Sequence, residues 1–383
     1  MKTSYLFPII LFCVVCFLPS CENDKTITTV EYYSQQEYQV LSSTLNLPST
    51  PFNYNKFEFE SKRSDAISTL GRVLFYDKNL SKDNSVSCGS CHQQNLAFAD
   101  REALSKGIEN RSTNRNSLSL GAFRSFGDYS SDPETTLFWD GRVKNLHDQM
   151  IQTIRNPKEM GMELRDVVAK IKDLEYYKIL AQKAFFNENL NEELVLNALE
   201  GFMTSINSST SKFDIISQQN NFNLATNWSG LNQQENLGKN IFTSNCIGCH
   251  SQGIDNFAFG SPVGSLVLRS ANNGLDLVYT DKGEGEINPA PDALAIFKIP
   301  GLRNIALTAP YMHDGRFANL EQVVDFYSTG IQDHPNLNDL LKSDGHPKKF
   351  NFTGGEKDAL IQFLNALTDN TMINEVKWSD PFL

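Results

Sequence analysis

The chain has 383 residues, of which 40% are hydrophobic and 11% aromatic, and its formal net charge is −11 at pH 7. This apolar content is enough to fill a folded core and excludes a globally disordered chain. The acidic balance argues against nucleic acid and anionic lipid headgroups as partners, and it is compatible with a basic protein partner.

The N-terminus has the pattern of an export signal. Lys2 is followed by a largely apolar run that extends to Leu18 and leads into Pro19-Ser20-Cys21. The run is shorter than the roughly 20 residues of a permanent membrane helix, so we predict a signal peptide over residues 1–20. The context of Cys21 is similar to a bacterial lipobox and predicts an exported, periplasm-facing protein whose membrane contact is a lipid anchor. Cleavage without lipidation is the alternative.

Composition divides the remaining chain. Residues 21–60 are polar and irregular, which predicts a tether. Residues 213–229 lie in a stretch rich in Ser, Asn and Gln, which is typical of a linker. We therefore expect two domains, over residues 61–212 and 230–383.

Two short cysteine motifs carry the strongest chemical signal. They are Cys88-Gly89-Ser90-Cys91-His92 and Cys246-Ile247-Gly248-Cys249-His250. Two thiols at this spacing reach the two vinyl groups of one porphyrin, and the next residue places an imidazole under the iron. Structural disulfides would not require a histidine after each pair, and paired zinc motifs usually lie much closer together. The motifs predict two covalently bound c-type haems with His92 and His250 as iron ligands.

The sequence around these motifs is duplicated. Leu70–Phe75 precedes the first motif, and the similar Leu237–Phe242 precedes the second. Further along, Asp140–Leu146 is repeated with changes as Asp314–Leu320. Two ordered matches beside matched cysteine motifs indicate a duplicated domain.

The predicted secondary structure is mainly helical. Apolar residues recur at helical spacing over Asp166–Ala184, Glu192–Ile206, Leu320–Tyr327 and Glu356–Leu367. Gln252–Pro291 is rich in Gly, Asn and Asp and predicts a long functional loop with short strands.

These residues together resemble a known family. Leu70 to His92, Phe138–Arg142, Asn156–Met160 and Phe297–Tyr311 are similar to bacterial di-haem cytochrome c peroxidases, including the related MauG-type enzymes. The resemblance runs from about residue 65 to 368. It implies a mainly α fold of two tandem c-type cytochrome domains whose haems face a shared interface, with the peroxidatic haem in the first domain and the electron-transfer haem in the second.

The resemblance also implies roles at the first haem. Glu159 and Gln149 match the family's distal acid–base glutamate and its distal glutamine, and Trp139 matches the tryptophan between the haems. In the better-known peroxidases, a histidine shortly after the first motif blocks that iron until reduction. Residues 93–123 contain no histidine, so we predict an open first iron; His147 is the remaining candidate to close it.

At the second haem the chain departs from the usual peroxidases. Tyr327 stands where their methionine ligand is expected, as in MauG-type proteins. Met312 is the competing ligand, and both residues can instead line the pocket. The resemblance further implies a calcium ion bound by the side chain of Asn116 and the carbonyls of Thr308 and Pro310, since calcium prefers oxygen ligands.

Three functions follow from these assignments. The leading prediction is reduction of hydrogen peroxide at the first haem, with electrons from a small cytochrome c or another redox protein entering through the second. The alternatives are MauG-like oxidation of a protein or small molecule, and a di-haem electron carrier without catalysis. Family members are often dimers, which makes a homodimer a candidate assembly.

Overall fold

The computed structural model describes residues 31–54, 62–121, 136–254 and 269–383. The predicted signal peptide and Cys21 lie outside these residues. The helices are α1 (Gln35–Ser42), α2 (Lys62–Tyr76), α3 (Cys88–Cys91), α4 (Leu146–Arg155), α5 (Leu164–Ile171), α6 (Glu175–Phe185), α7 (Glu192–Ser205), α8 (Lys212–Gln219), α9 (Gln233–Asn245), α10 (Ile247–Ile254), α11 (Leu320–Asp325) and α12 (Gly354–Asn365).

Strands are few and short. Strand β1 (Ser270–Ala271) pairs antiparallel with β2 (Phe297–Lys298), and β3 (Lys342–Ser343) pairs antiparallel with β4 (His346–Pro347). The fold is therefore mainly α, as predicted. Within the described ranges, no helix combines the length and the apolar character that crossing a bilayer requires.

The first hydrophobic core is built around a close crossing of α2 and α7. A Cβ on Gly71 in α2 would lie 1.8 Å from the Ala198 carbonyl oxygen and 2.8 Å from Phe202 Cβ. Only glycine allows the two backbones to approach this closely. Phe75 and Phe202 then pack with their ring centroids 5.2 Å apart, and both are buried.

The second hydrophobic core repeats this crossing with α9 and α12. A Cβ on Gly238 would lie 1.9 Å from the Ala359 carbonyl oxygen and 2.8 Å from Phe363 Cβ. Phe242 and Phe363 have ring centroids 5.4 Å apart. The same glycine-dependent contact thus recurs at the same place in both sequence repeats.

The two stretches predicted to be a tether and a linker contain residues that are buried in the hydrophobic cores. Leu41 and Leu45, within residues 21–60, are buried in the first core. Phe213, Ile216 and Trp228 are buried in the second core, the first two on α8. The apolar residues of these two stretches are too sparse to give a periodic pattern in the sequence, yet the residues named here are buried in a core.

The predicted helices agree with those observed, with small differences at the ends. Asp166–Ala184 proves to be two helices, because α5 ends at Ile171 and α6 begins at Glu175. Leu320–Tyr327 begins as α11, and a π-helical turn over Phe326–Gly330 follows it. Of the predicted long loop, residues 269–291 include β1 and a short 3₁₀ turn at Glu284–Glu286; residues 255–268 lie outside the described chain.

Candidate haem and peroxide sites

The first cysteine motif forms a single helical turn, α3, with His92 at its C-cap. The His92 Nδ1 lies 2.9 Å from the Phe98 carbonyl oxygen and 3.3 Å from Ser117 Oγ. Because Nδ1 is held in this way, Nε2 is the nitrogen left to bind a metal. Burial lowers the pKa of His92, which favours the neutral imidazole that iron requires.

The second motif repeats this arrangement. Cys246 caps the C-terminus of α9, and Cys249 and His250 lie in α10. The His250 Nδ1 lies 3.3 Å from the Pro300 carbonyl oxygen, and burial lowers the pKa of His250 to about 4. Both motif histidines are therefore neutral at pH 7 and anchored through Nδ1.

None of the four motif cysteines takes part in a disulfide in the described chain. Burial is the main cause that raises the pKa of Cys88 to about 12, and the neighbouring Cys91 adds to it. Burial and the neighbouring Cys249 raise the pKa of Cys246 to about 12 in the same way. Thiols held in this protonated state do not suit a nucleophilic role. Their pairing with an anchored histidine fits covalent haem attachment.

Glu159 lies on the turn after α4. Its Oε1 accepts a hydrogen bond from Asn156 Nδ2 at 2.6 Å. Burial raises the pKa of Glu159, against the hydrogen bond from Asn156 and the charge of Arg142. Burial raises the pKa of both Cys88 and Cys91, and the Glu159 charge adds to this rise in both.

A glycine contact holds the Glu159 turn in place. The backbone N–H of Ile108 donates to the Glu159 carbonyl at 2.9 Å. A Cβ on Gly107 would lie 2.1 Å from the Lys158 carbonyl oxygen and 2.7 Å from Glu159 Cα. The sequence carried no signal for this contact, which joins segments about fifty residues apart.

Gln149 and His147 both lie on α4. The Gln149 Oε1 is buried and has no hydrogen-bond partner within the protein, which suits a side chain that faces a bound group. The His147 Nε2 lies 3.1 Å from Glu200 Oε2, and its side chain is 34% exposed. His147 is thus engaged with α7, in keeping with the alternative that it is a helix surface residue.

The second motif opens into a large, mostly apolar cavity. Cys246, Cys249 and His250 line it together with Met312 and Tyr327. The Asn273 Nδ2 lies 3.3 Å from Tyr327 Oη and 3.7 Å from Met312 Sδ. Burial raises the pKa of Tyr327 to about 12. The two residues predicted to compete for the second iron therefore face the same space and share one polar neighbour.

Trp139 lies where the two sequence repeats meet. Its indole Nε1 donates to the Asn116 carbonyl at 2.9 Å, and its ring centroid is 6.5 Å from that of His313. His313 occupies the equivalent position of the second repeat, and its carbonyl accepts from the Asn116 N–H at 2.8 Å. Trp139 and His313 both line the second cavity.

The three residues predicted to bind calcium line this same cavity. The Asn116 Nδ2 lies 3.2 Å from the Ala103 carbonyl oxygen and 3.4 Å from that of Glu102. With the amide nitrogen turned toward these carbonyls, Oδ1 is the atom that can bind a cation. In the described part of the chain, no cluster of three or more His, Cys, Asp or Glu side chains offers another metal site.

Two residues near Trp139 were not singled out from the sequence. Lys298 donates from its backbone N–H to the Trp139 carbonyl at 2.7 Å. Arg115 binds Asp140 at 2.5 Å and Asp281 at 2.6 Å. In the sequence, the Phe297-Lys298 pair is only part of a stretch that resembles the family. The sequence alone does not show which segment this pair contacts.

Comparison with known proteins places the chain in a family. A family model described as di-haem cytochrome c peroxidase matches residues 65–221. The cytochrome c551 peroxidase of Nitrosomonas europaea is 30% identical over 264 residues, covering 68% of this chain and 72% of that protein. The methylamine utilization protein MauG of Paracoccus denitrificans is 30% identical over 357 residues, covering 80% and 89%.

Solved structures agree with the sequence comparisons. A MauG-like protein associated with microbial copper homeostasis superposes with a TM-score of 0.69 at 30% identity, covering 88% of this chain and 97% of that one. The relatives of the present chain bear the names of both peroxidases and MauG proteins, and they match it along most of their lengths. The chain belongs to the family of di-haem cytochrome c peroxidases and MauG proteins.

Proposed function

We propose that the chain is an exported peroxidase that reduces hydrogen peroxide to water at its first haem, with electrons delivered through its second. Each turnover consumes one peroxide, two electrons and two protons and yields two waters. The observation that supports the proposal is the setting of Glu159, a partly buried carboxylate that accepts a hydrogen bond from Asn156 Nδ2 at 2.6 Å and whose pKa is raised by burial.

The residues present suit two c-type haems. Cys88 and Cys91 would hold the first haem covalently and His92 would ligate its iron, with Cys246, Cys249 and His250 in the same roles for the second. When bound, the haems supply the iron that takes up peroxide and the electrons that split its O–O bond.

Glu159 is the acid–base group of this proposal. Its carboxylate takes a proton from the oxygen of peroxide nearer the iron and returns it to the departing oxygen, which leaves as water. The Asn156 hydrogen bond at 2.6 Å fixes the direction of the carboxylate. The unpartnered Oε1 of Gln149 can accept a hydrogen bond from bound peroxide or water and orient it.

Trp139 relays electrons between the two sites in this scheme. Its ring is buried at the junction of the repeats, and it contributes to the wall of the second cavity. Tyr327 is the proposed sixth ligand of the second iron and Met312 the alternative. An anionic phenolate oxygen would lower the potential of that iron, whereas a thioether would raise it.

The proposed organisation follows the family pattern. A signal peptide over residues 1–20 and the segment 21–60, which packs Leu41 and Leu45 into the first core, precede a first cytochrome domain, 61–212. The connecting segment 213–229, which packs Phe213 and Trp228 into the second core, leads to a second domain, 230–383, so that the two haems face a shared interface. A calcium ion between them, bound by Asn116, Thr308 and Pro310, would hold the junction together.

A second candidate function is MauG-like oxidation of a protein or small molecule. It is favoured by the Tyr327 hydroxyl in the second cavity, 3.3 Å from Asn273 Nδ2, and by the absence of histidine from residues 93–123. A carrier without catalysis is less well supported, because it would have no use for a partly buried carboxylate of raised pKa such as Glu159.

The proposed partners follow from the net charge of the chain, and the proposed location follows from its predicted signal peptide and lipid anchor. The acidic chain suits a basic electron donor, such as a small cytochrome c or another redox protein. We propose a periplasm-facing enzyme, lipid-anchored at Cys21, that functions as a monomer or homodimer.

The test compares Glu159→Gln with Glu163→Gln in the full chain carrying both haems. Glu163 is a nearby acid whose side chain pairs with Arg155 at 2.8 Å and is 45% exposed. We expect Glu159→Gln to reduce peroxide reactivity by about 10²–10⁴, with Glu163→Gln at the wild-type rate. Equal rates in both variants would remove Glu159 from the reaction.

Electron paramagnetic resonance of the untreated, fully oxidised protein tests the open first iron. A high-spin signal beside a low-spin one is expected. Two low-spin signals would mean that a side chain, with His147 the first candidate, closes the site until reduction. Steady turnover with a reduced cytochrome c would favour the peroxidase over the MauG-like function.

A further inference from the structure

The chain segment that carries Trp139 is held from the second half of the protein by Lys298. The Lys298 backbone N–H donates to the Trp139 carbonyl at 2.7 Å. The Lys298 ammonium donates to the Thr136 carbonyl at 2.8 Å. One residue of β2 thus binds the Trp139 segment at two points, with more than 150 residues of chain between them.

Only one of these two bonds has a counterpart in the other repeat. The Asn116 N–H donates to the carbonyl of His313, the repeat equivalent of Trp139. The Asn116 side chain, however, turns back toward carbonyls of its own half, at Glu102 and Ala103. The ammonium bond of Lys298 is therefore an addition made at the Trp139 side of the junction.

The other end of the segment is held by an ion-pair cluster. The Arg115 guanidinium makes two hydrogen bonds to Asp281, at 2.6 and 2.7 Å, and one to Asp140 at 2.5 Å. Asp140 directly follows Trp139, and Asp281 belongs to the second half of the chain. Together with the Lys298 bonds, this cluster brackets the tryptophan on both sides.

Lys298 is partly buried, which makes its bond to Thr136 consequential. Lys298 lines the second cavity, and burial, with the charge of Arg269, lowers the pKa of its ammonium to about 8. A buried cation is costly to maintain, and the loss of a buried hydrogen bond to a charged group is correspondingly disruptive.

We propose that Lys298 is the positioning residue for Trp139. Its two bonds hold residues 136–139 against the second half of the chain and fix the indole in the path between the two haem sites. The inference rests on the proposed function, in which Trp139 relays electrons. Lys298 itself contacts neither peroxide nor the electron donor in this role.

A matched control exists within the chain. Lys239 is fully buried, and its ammonium donates to the Leu224 carbonyl and to Asn240 Oδ1, both at 2.8 Å. It lies in α9, within the second core region and away from the Trp139 segment. Lys239→Met and Lys298→Met each remove an ammonium and its bond to a carbonyl, so a general loss of stability from such a change appears in both.

The first measurement is hydrogen–deuterium exchange of peptides covering residues 136–146 in the full chain carrying both haems. We expect faster exchange in Lys298→Met and wild-type exchange in Lys239→Met. Lys298→Gln, whose shorter side chain cannot reach as far, provides a second variant if the methionine variant does not fold. Unchanged exchange in the folded Lys298 variant would overturn the proposal.

The second measurement is the rate of electron exchange between the two haem sites after pulsed reduction. A displacement of about 1 Å in a reacting group can cost about 10²-fold in rate, so we expect a loss of about tenfold or more for Lys298→Met. Lys298→Arg, which keeps the charge and the donors, should recover part of it. Faster peptide exchange with an unchanged electron-transfer rate would also overturn the proposal.

These readouts separate this inference from the proposed function. If the wild-type protein did not react with peroxide, the proposed function would fail. The peptide exchange and the electron-transfer rate would still decide whether Lys298 positions Trp139.

Discussion

Gly107 offers a way to move Glu159 without changing its chemistry. A Cβ there would lie 2.1 Å from the Lys158 carbonyl oxygen, although real contacts of this kind are essentially never below 3.0 Å. The obstructing atoms are backbone, so the turn that carries Glu159 must move by about 1 Å. Since a displacement of about 1 Å can cost about 10²-fold in rate, we expect Gly107→Ala to slow peroxide reduction by about that factor.

The assay is single-turnover reduction of peroxide, followed by stopped-flow spectroscopy on protein that carries both haems. Gly355→Ala is the matched control, because a Cβ on Gly355 in α12 would meet nothing within 4 Å. Haem attachment should be unchanged in both variants, since Gly107 contacts the Glu159 turn.

The decisive comparison places Gly107→Ala in the Glu159→Gln background. If the substitution acts through the position of the carboxylate, it should cause little further loss there, because two changes to one interaction are not additive. A wild-type rate for Gly107→Ala, or a full additional loss in the Glu159→Gln background, would refute the reasoning.

Three further outcomes are expected. Burial raises the pKa of Glu159 above its ordinary value. Because peroxide reactivity needs the ionised carboxylate, it should fall as the pH drops through that raised pKa. The pH profile of Glu159→Gln should lack this inflection. Tyr327→Phe should alter the absorption and paramagnetic resonance spectra of the second haem while Met312→Leu leaves them unchanged; the reverse result would assign the ligand to Met312. Cys21→Ser should release the protein from membrane fractions, and a protein that stays in those fractions would contradict the lipid anchor.

Local patterns were sufficient for the features that depend on neighbouring residues. The Cys88–His92 and Cys246–His250 spacings predict haem attachment because one porphyrin must reach both thiols and the imidazole. The duplicated sequences around Gly71 and Gly238 predict a repeated domain, and each core contains the same close helix crossing.

Local patterns were less informative where apolar residues are sparse. Residues 33–54 and 213–229 look polar on average, yet Leu41, Leu45, Phe213 and Trp228 are buried. Average composition predicts how a segment behaves alone. It does not reveal whether a core formed by distant helices has room for a few isolated side chains.

The sequence by itself determined the family, the two haem motifs and the helical class, because these depend on short spacings and on likeness to other chains. Among 45 acidic residues, it indicated Glu159 only through the family resemblance. Tertiary structure decided that Gly107 packs against the Glu159 turn, that Met312 and Tyr327 share one cavity, and that Lys298 is hydrogen-bonded to the Trp139 segment. Each of these depends on contacts between distant parts of the chain, which form only when both cores are packed.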